Sequence, residues 1–509
     1  MLDLLLFNCH PFAIGIRAGR IASVGDDAAP ATRRIDLGGR AVVPGFNDAH
    51  AHVWKIGHLL TTMLDLRGVS SLEALVASAR AAAAERPEGA WLLGRGYNEA
   101  LLREGRPPTR HDLDRAAPDR PIVLTRTCGH IVAANSLALE RAGVTASTAA
   151  PPGGVIERDA RGEPTGLLHE TAVGLMTRVV PKPTPAEHAA MIDAALSHQL
   201  THGITSTSDC GVRPELLAVY RAMDAKGALK ARVNVMPLRL PDDSASPLPL
   251  PERHVSDMLR VDTVKFLADG GLSGATAALS MPYRHAATHG VLRFEAAELL
   301  ELARDSHDAG WRIATHAIGD VAIDQVLDVY EQLGAHPRAL ANRIEHLGLP
   351  SVSQLRRAAR LGVIAAPQAI FIYGLGRNFR QYLPDELLPR CYPIRGMLDA
   401  GLVVALSSDA PVVEEDSPML GMMAAHTRRD REGIAIAPEQ SISIAEALRG
   451  YTMGGALSTG DERNRGSLDA GKWADLAVLS ADPLAVAPEE LPGVRVDMTL
   501  VAGKVVYER

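Results

Sequence analysis

Five apolar segments of this chain each carry or run into a residue that can hold a metal ion, and this recurrence constrains the fold more than any other feature. The run from 41 enters Asp48-Ala49-His50-Ala51-His52, and 261–268 carries Lys265. The segment 311–315 ends in His316, 342–345 in His346 and 403–408 in Asp409. Such segments read as buried strands, in which alternate side chains point to opposite faces, so His50 and His52 share a face. Two neutral imidazoles set side by side suit a divalent transition ion such as zinc. One His-x-His among 18 histidines means little. The ordered series His, His, Lys, His, His, Asp at successive strand ends means much more.

Helical stretches at 214–226, 296–308, 322–333 and 352–361 alternate with strands expected at 41–48, 204–208, 231–238, 261–268, 311–316, 342–347, 362–367 and 403–408. Alternation of this kind marks an α/β chain with parallel strands. Eight such strands predict a TIM-like (β/α)8 barrel, whose active site lies at the C-terminal strand ends, where all six candidate ligands fall. Alternating polar and apolar positions at both termini predict a small composite β-sandwich from 1–40 and 464–509. The barrel then takes 41–64 and 171–463. The gap between the first two strands is too long for a βα loop. With its own helices at 71–85 and 135–142 and a strand at 121–126, 65–170 reads as an inserted α/β subdomain over the barrel mouth.

A net charge of −7 without a long basic run argues against nucleic acid or an anionic membrane surface as partner. An aromatic content of 4% argues against a base-stacking platform. Cys9, Cys128, Cys210 and Cys391 lie far apart with no Cys-x-x-Cys, which fits a reducing compartment. Asp3 stands where a signal peptide needs a basic residue, and no apolar run is long enough to span a bilayer. The expectation is a cytoplasmic protein acting on a small molecule. Its oligomeric state is not readable, and a homo-oligomer is compatible with the sequence.

A lysine in a ring of metal ligands needs a reason, because an ammonium repels a cation. Reaction of Lys265 with CO₂ would turn it into an anionic carbamate able to bridge two ions. One ion would take His50, His52 and Asp409 with the carbamate, the other His316 and His346. Two cations sharing a water would bring its pKa towards neutrality. A single ion with an unmodified lysine is the other arrangement the set allows. Zinc is the expected metal, although Mn, Co or Fe would accept the same donors.

The constellation resembles the amidohydrolase superfamily, within it the amidohydrolase-3, YtcJ-like branch. The resemblance rests on Pro44-Gly45-Phe46-Asn47-Asp48-Ala49-His50-Ala51-His52, Gly129-His130, Val264-Lys265, His316-Ala317-Ile318-Gly319-Asp320, Arg343-Ile344-Glu345-His346, Ser408-Asp409-Ala410-Pro411 and Gly471-Lys472-Trp473-Ala474-Asp475-Leu476. It implies a metal-dependent amidohydrolase that cleaves a C–N bond other than a peptide bond, N-acyl or N-formyl amides included. It also implies that Asp409 shuttles the proton from the metal-activated water to the leaving amine. Glu170 fits a motif of the branch and is a lower-ranked ligand candidate. His130 is similar to a substrate-side histidine that could polarise a carbonyl.

From the residues themselves, Asp269 before two glycines, Gln368 after the seventh strand and Tyr97 in the insert are candidates for substrate contact. A lactone, carbamate or ester hydrolase could use the same site, and a non-catalytic ligand-binding scaffold is the reading from another class. Ser407-Ser408 lacks the glycines of a nucleophile elbow. His285 and His289 lack the glutamate of a helical zinc motif, and their segment reads as a substrate loop.

Overall fold

The computed structural model describes residues 1–127, 129, 131–151, 154–241, 244, 246–284 and 288–509. The chain forms two compact units, Met1–Val53 with Ala195–Arg509, and Trp54–Ala194.

Parallel strands of the larger unit include β1 Phe46–Ala51, β2 Ile204–Val212, β3 Arg232–Pro237, β4 Thr263–Leu267, β5 Arg312–Ala317, β6 Arg343–His346, β7 Ile364–Ala366 and β8 Val403–Val404, with the short Leu259–Val261 also parallel to β3. β1, β2 and β3 lie side by side in one five-stranded sheet, and β4 to β8 make another. Parallel register staggers the candidate ligands along neighbouring strands: Lys265 pairs with Ala314, two residues before His316, and His316 pairs with Glu345, the residue before His346. Backbone contacts run between the two sheets at both margins. Leu238 bridges to Lys265 beside β3 and β4. At the other margin Ala49 N donates to Leu406 O at 3.4 Å and Asp409 N to His50 O at 2.8 Å.

Helices Pro214–Ala225, Ala296–Asp308, Asp320–Leu333 and Val352–Arg360 fall between strands near the expected positions. Asp320–Leu333 buries Ile323, Val326, Leu327 and Tyr330, the spacing of one apolar helical face. Tyr330 Oη donates to Arg343 O at 2.7 Å, fixing this helix to β6.

The strand expected at 41–48 is two strands. Ala41–Pro44 pairs antiparallel with Leu476–Leu479, Val42 opposite Val478, and β1 starts only at Phe46. Gly45 makes the break. A Cβ there would stand 2.2 Å from Thr205 Oγ1, so only glycine lets the backbone pass. Residues 41–44 therefore belong to a four-stranded sheet with Leu476–Leu479, Val496–Val501 and Lys504–Glu508. A second four-stranded sheet contains Leu2–Phe7, Ile14–Arg17, Arg20–Val24 and Ala31–Asp36. Leu4, Ile14 and Ile16 of one sheet share an apolar cluster with Val42, Val478 and Leu500 of the other.

The smaller unit has a six-stranded sheet and helix Leu72–Ala84, capped by Ser71, whose side chain accepts from Ala74 N at 3.1 Å. Leu75 and Ala79 of the helix pack with Leu92, Ile122 and Leu124 of the sheet. Among the described residues no helix is long and apolar enough to cross a membrane.

Candidate metal centre

His50 and His52 leave the C-terminal end of β1 and meet Asp409, which follows β8. The Asp409 Oδ1 atom lies 3.3 Å from His50 Nε2 and 3.2 Å from His52 Nε2. The other ring nitrogens are engaged. His52 Nδ1 donates to Cys210 O at 3.0 Å, and His50 Nδ1 faces the carboxylate of Glu345. Arg343 Nε holds that carboxylate at 2.8 Å, and both side chains are fully buried. Tying Nδ1 in this way fixes the ring and leaves Nε2 as the coordinating atom.

His346 is oriented from β7. Gln368 Nε2 donates to Ala366 O and to Ser407 Oγ, each at 2.8 Å, so Gln368 Oε1 is left to accept from His346 Nδ1 at 2.6 Å. The His346 ring lies 4.8 Å from that of His50 and 4.5 Å from that of His316. Donor atoms of His50, His346 and Asp409 fall within 4.8 Å of one another, as do those of His50, Cys210 and Glu345.

The electrostatics of the site are divided: charge is favoured on His50 and Asp409 and opposed on Lys265 and on His346, which burial and His316 lower well below an ordinary imidazole. Burial alone would raise the Asp409 carboxyl, yet His50 and His52 hold it well below the usual carboxylate range. Burial opposes a charge on His50, but Cys210, Asp409 and Glu345 together raise it well above an ordinary imidazole. Burial also pushes the Lys265 ammonium down, and its Nζ has no hydrogen-bond partner among the described residues. Asp409 Oδ1 likewise has no partner in hydrogen-bond geometry. Two imidazole nitrogens and a buried carboxylate oxygen brought this close are a donor set of the kind that holds a divalent ion. These donors fit a divalent metal.

The backbone is strained at two of these residues. His346 has φ 72° and Asp409 φ 56°. Such conformations cost about 1–3 kcal/mol each for a residue with a side chain and persist only where the surroundings impose them. At Asp409 the imposed contact is its N–H bond to His50 O.

The remaining candidates have varied places. His316 Nε2 lies 3.1 Å from Gly270 O and 3.3 Å from Asp269 Oδ1. Asp269 is fully buried and accepts from the backbone N–H groups of Ala278 (3.0 Å), Ile318 (3.0 Å) and Gly319 (2.8 Å), anchoring the loop after β4. Tyr97 is buried in the apolar core of the smaller unit. Glu170 is the exposed last residue of strand Pro164–Glu170 in that same unit. His289 Nδ1 bonds to Leu279 O at 3.1 Å. His130, like Cys128 and His285, lies outside the described residues.

Three participants escaped sequence reasoning: Glu345, Cys210 and Asp48. Asp48 is fully buried, accepts from Ser408 N at 3.0 Å and from its hydroxyl, and is pushed up to about 7 by burial. It clamps β1 to the segment that delivers Asp409. Its period-2 relation to His50 and His52 was the available signal.

Comparison with known proteins agrees with this geometry. Residues 33–507 match the Amidohydrolase family. YtcJ of Bacillus subtilis (strain 168) is 32% identical over 492 residues, covering 94% of this chain and 91% of its own. The N-substituted formamide deformylase of Arthrobacter pascens is 31% identical over 544 residues, covering 100% of this chain and 99% of its own. The crystal structure of an uncharacterized metal-dependent hydrolase from Pyrococcus horikoshii OT3 superposes with a TM-score of 0.78 at 27% identity, covering 96% of this chain and 99% of that one. The chain belongs to the amidohydrolase family and is an enzyme, a metal-dependent hydrolase.

Proposed function

We propose that this enzyme hydrolyses the C–N bond of an N-acyl or N-formyl amide, using zinc held by His50, His52 and Asp409, with His316 and His346 serving a second ion and a Lys265 carbamate shared between them. The observation that carries the reading is the convergence of two Nδ1-tethered imidazoles on Asp409 Oδ1. The name of the Arthrobacter relative favours formamides within that class. The contacts at both margins of the two five-stranded sheets support a closed (β/α)8 barrel, and the shared apolar cluster supports a composite β-sandwich at the termini. Free thiols on Cys9, Cys210 and Cys391 agree with a cytoplasmic enzyme.

A bound divalent ion supplies Lewis acidity and brings water towards a neutral pKa. The chain's own groups do the rest. Asp409, kept ionised by His50 and His52, accepts the proton of the attacking water and returns it to the leaving nitrogen. Glu345, the Cys210 carbonyl and Gln368 hold three imidazoles in one tautomer, so no reorganisation is needed as charge develops. The buried Lys265 amine, lacking a hydrogen-bond partner, is suited to take up CO₂, forming an N–C bond and releasing one proton.

Elemental analysis of enzyme purified without chelator, a high-resolution density map at Lys265 and turnover of an amide panel test the proposal together. Two metals at this centre, located there by anomalous diffraction, extra density on Lys265 and hydrolysis of N-formyl amides are expected. One metal with a bare lysine would discard the carbamate. Turnover of lactones or esters but no amide would overturn the substrate class, and a metal-free protein after reconstitution would overturn the mechanism.

A further inference from the structure

A second group of metal-type donors uses none of the residues above. His198, in the last turn of helix Pro185–Thr201, and His202, just beyond it, both turn Nε2 to Asp416, in the loop after β8. The separations are 2.9 Å from His198 Nε2 to Oδ2 and 3.3 Å from His202 Nε2 to Oδ1. The two rings stand 4.8 Å apart at 82°, and one donor atom from each of the three residues lies within 4.8 Å of the others.

Several physical features favour an ion here. A spacing of four sets both histidines on one side of the helix end. A helix C-terminus carries partial negative charge, which adds to that of Asp416. Zinc bonds of about 2.0–2.1 Å imply tetrahedral ligand-to-ligand edges of roughly 3.3 Å, near the imidazole–carboxylate separations already present. The side chains of His198, His202 and Asp416 are 31%, 29% and 14% exposed, so an ion and its water can enter.

We propose that His198, His202 and Asp416 form a second transition-metal site, taking zinc through two Nε2 atoms and one carboxylate oxygen, with water completing the shell. Each Nε2 gives up its proton to become a ligand, and each ring stays neutral by carrying its proton on Nδ1. The ion ties the helix leading into β2, the strand paired with β1, to the loop leaving β8.

The test is calorimetric titration of the chelator-stripped full chain with zinc chloride, run beside His202→Gln and the double variant His198→Ala/His202→Ala. Both variants are expected to bind one zinc per chain fewer than the parent. Because the reading is a difference, it holds whatever the count at the first centre. Diffraction at the zinc edge from parent crystals soaked in zinc should give an anomalous peak between His198, His202 and Asp416. Equal stoichiometry in parent and folded variants, or no peak at saturating zinc, would overturn the site and leave a hydrogen-bonded triad. Should the variants fail to fold, the anomalous map of the parent decides alone.

Discussion

The cluster at the ends of β1 and β8 and the cluster at the end of helix Pro185–Thr201 use the same side chains, two histidines and an aspartate. Each histidine pair has the spacing its element requires to share a face, two on a strand and four on a helix. They differ in burial. The His50 side chain is 2% exposed and that of Asp409 9%, against 31% for His198 and 14% for Asp416. In the drier place each charge interaction counts for more. There, too, Glu345 and the Cys210 carbonyl hold the rings from outside. The donor set decides what can bind; burial and orientation decide whether the bound ion can do chemistry.

That division can be broken most sharply at the two aspartates. Asp409→Asn should lower kcat by about 10²–10⁴-fold, the range for a lost acid–base group, in a steady-state assay of whichever amide is turned over. Asp416→Asn is read instead as zinc bound per chain, which should fall by one. Wild-type turnover in the Asp409 variant would erase the distinction. A smaller effect is expected at Gln368. Replacement by Leu removes the acceptor for His346 Nδ1 and should weaken metal binding about 10–100-fold, as seen for lost outer partners of metal-bound histidine. Gln368→Glu keeps an acceptor and should lose less; equal losses in a chelator competition would show that packing, not the hydrogen bond, matters.

The smallest effect probes a histidine in the other unit. Burial, with His188 and Arg95, outweighs Glu187 and lowers His58 from 6.5 to about 4. The unfolded chain then takes up this proton first, so its contribution to stability is complete above about 6.5 and is lost as pH falls towards 4. His58→Gln should flatten denaturant-measured stability across that window by something on the order of 1 kcal/mol, allowing for solvent screening. An unchanged pH profile would remove His58 as its source.

Strand order was more legible than strand ends: the strand expected at 403–408 stops at Val404, five residues before Asp409, and that expected at 204–208 runs on to Val212. His50 and His346 come from strands of different sheets, and Asp409, beyond the end of β8, is brought to His50 by the bond from its N–H to His50 O. Helix limits were legible too, since Ser71 and Asn135 are capping residues with a local signature. What could not be read depends on neighbours remote in sequence. The break at Gly45 follows from the position of Thr205, and the orientation of His346 follows from a glutamine on the next strand. Glu345 was hidden by its own adjacency to His346, because period-2 reasoning sends neighbouring side chains to opposite faces. Yet His50, reaching from β1, meets the Glu345 side, while His346 turns back at positive φ.

The pairing of Ala41–Pro44 with Leu476–Leu479 also has a consequence for biosynthesis. The residue run that continues directly into the His50 strand finds its sheet neighbour only among residues made more than four hundred positions later. A ribosome therefore releases every candidate metal ligand before the strand that pairs with Ala41–Pro44 exists. A premature stop or a proteolytic cut between Asp409 and Leu476 leaves all six candidate ligands in the polypeptide and removes that anchor.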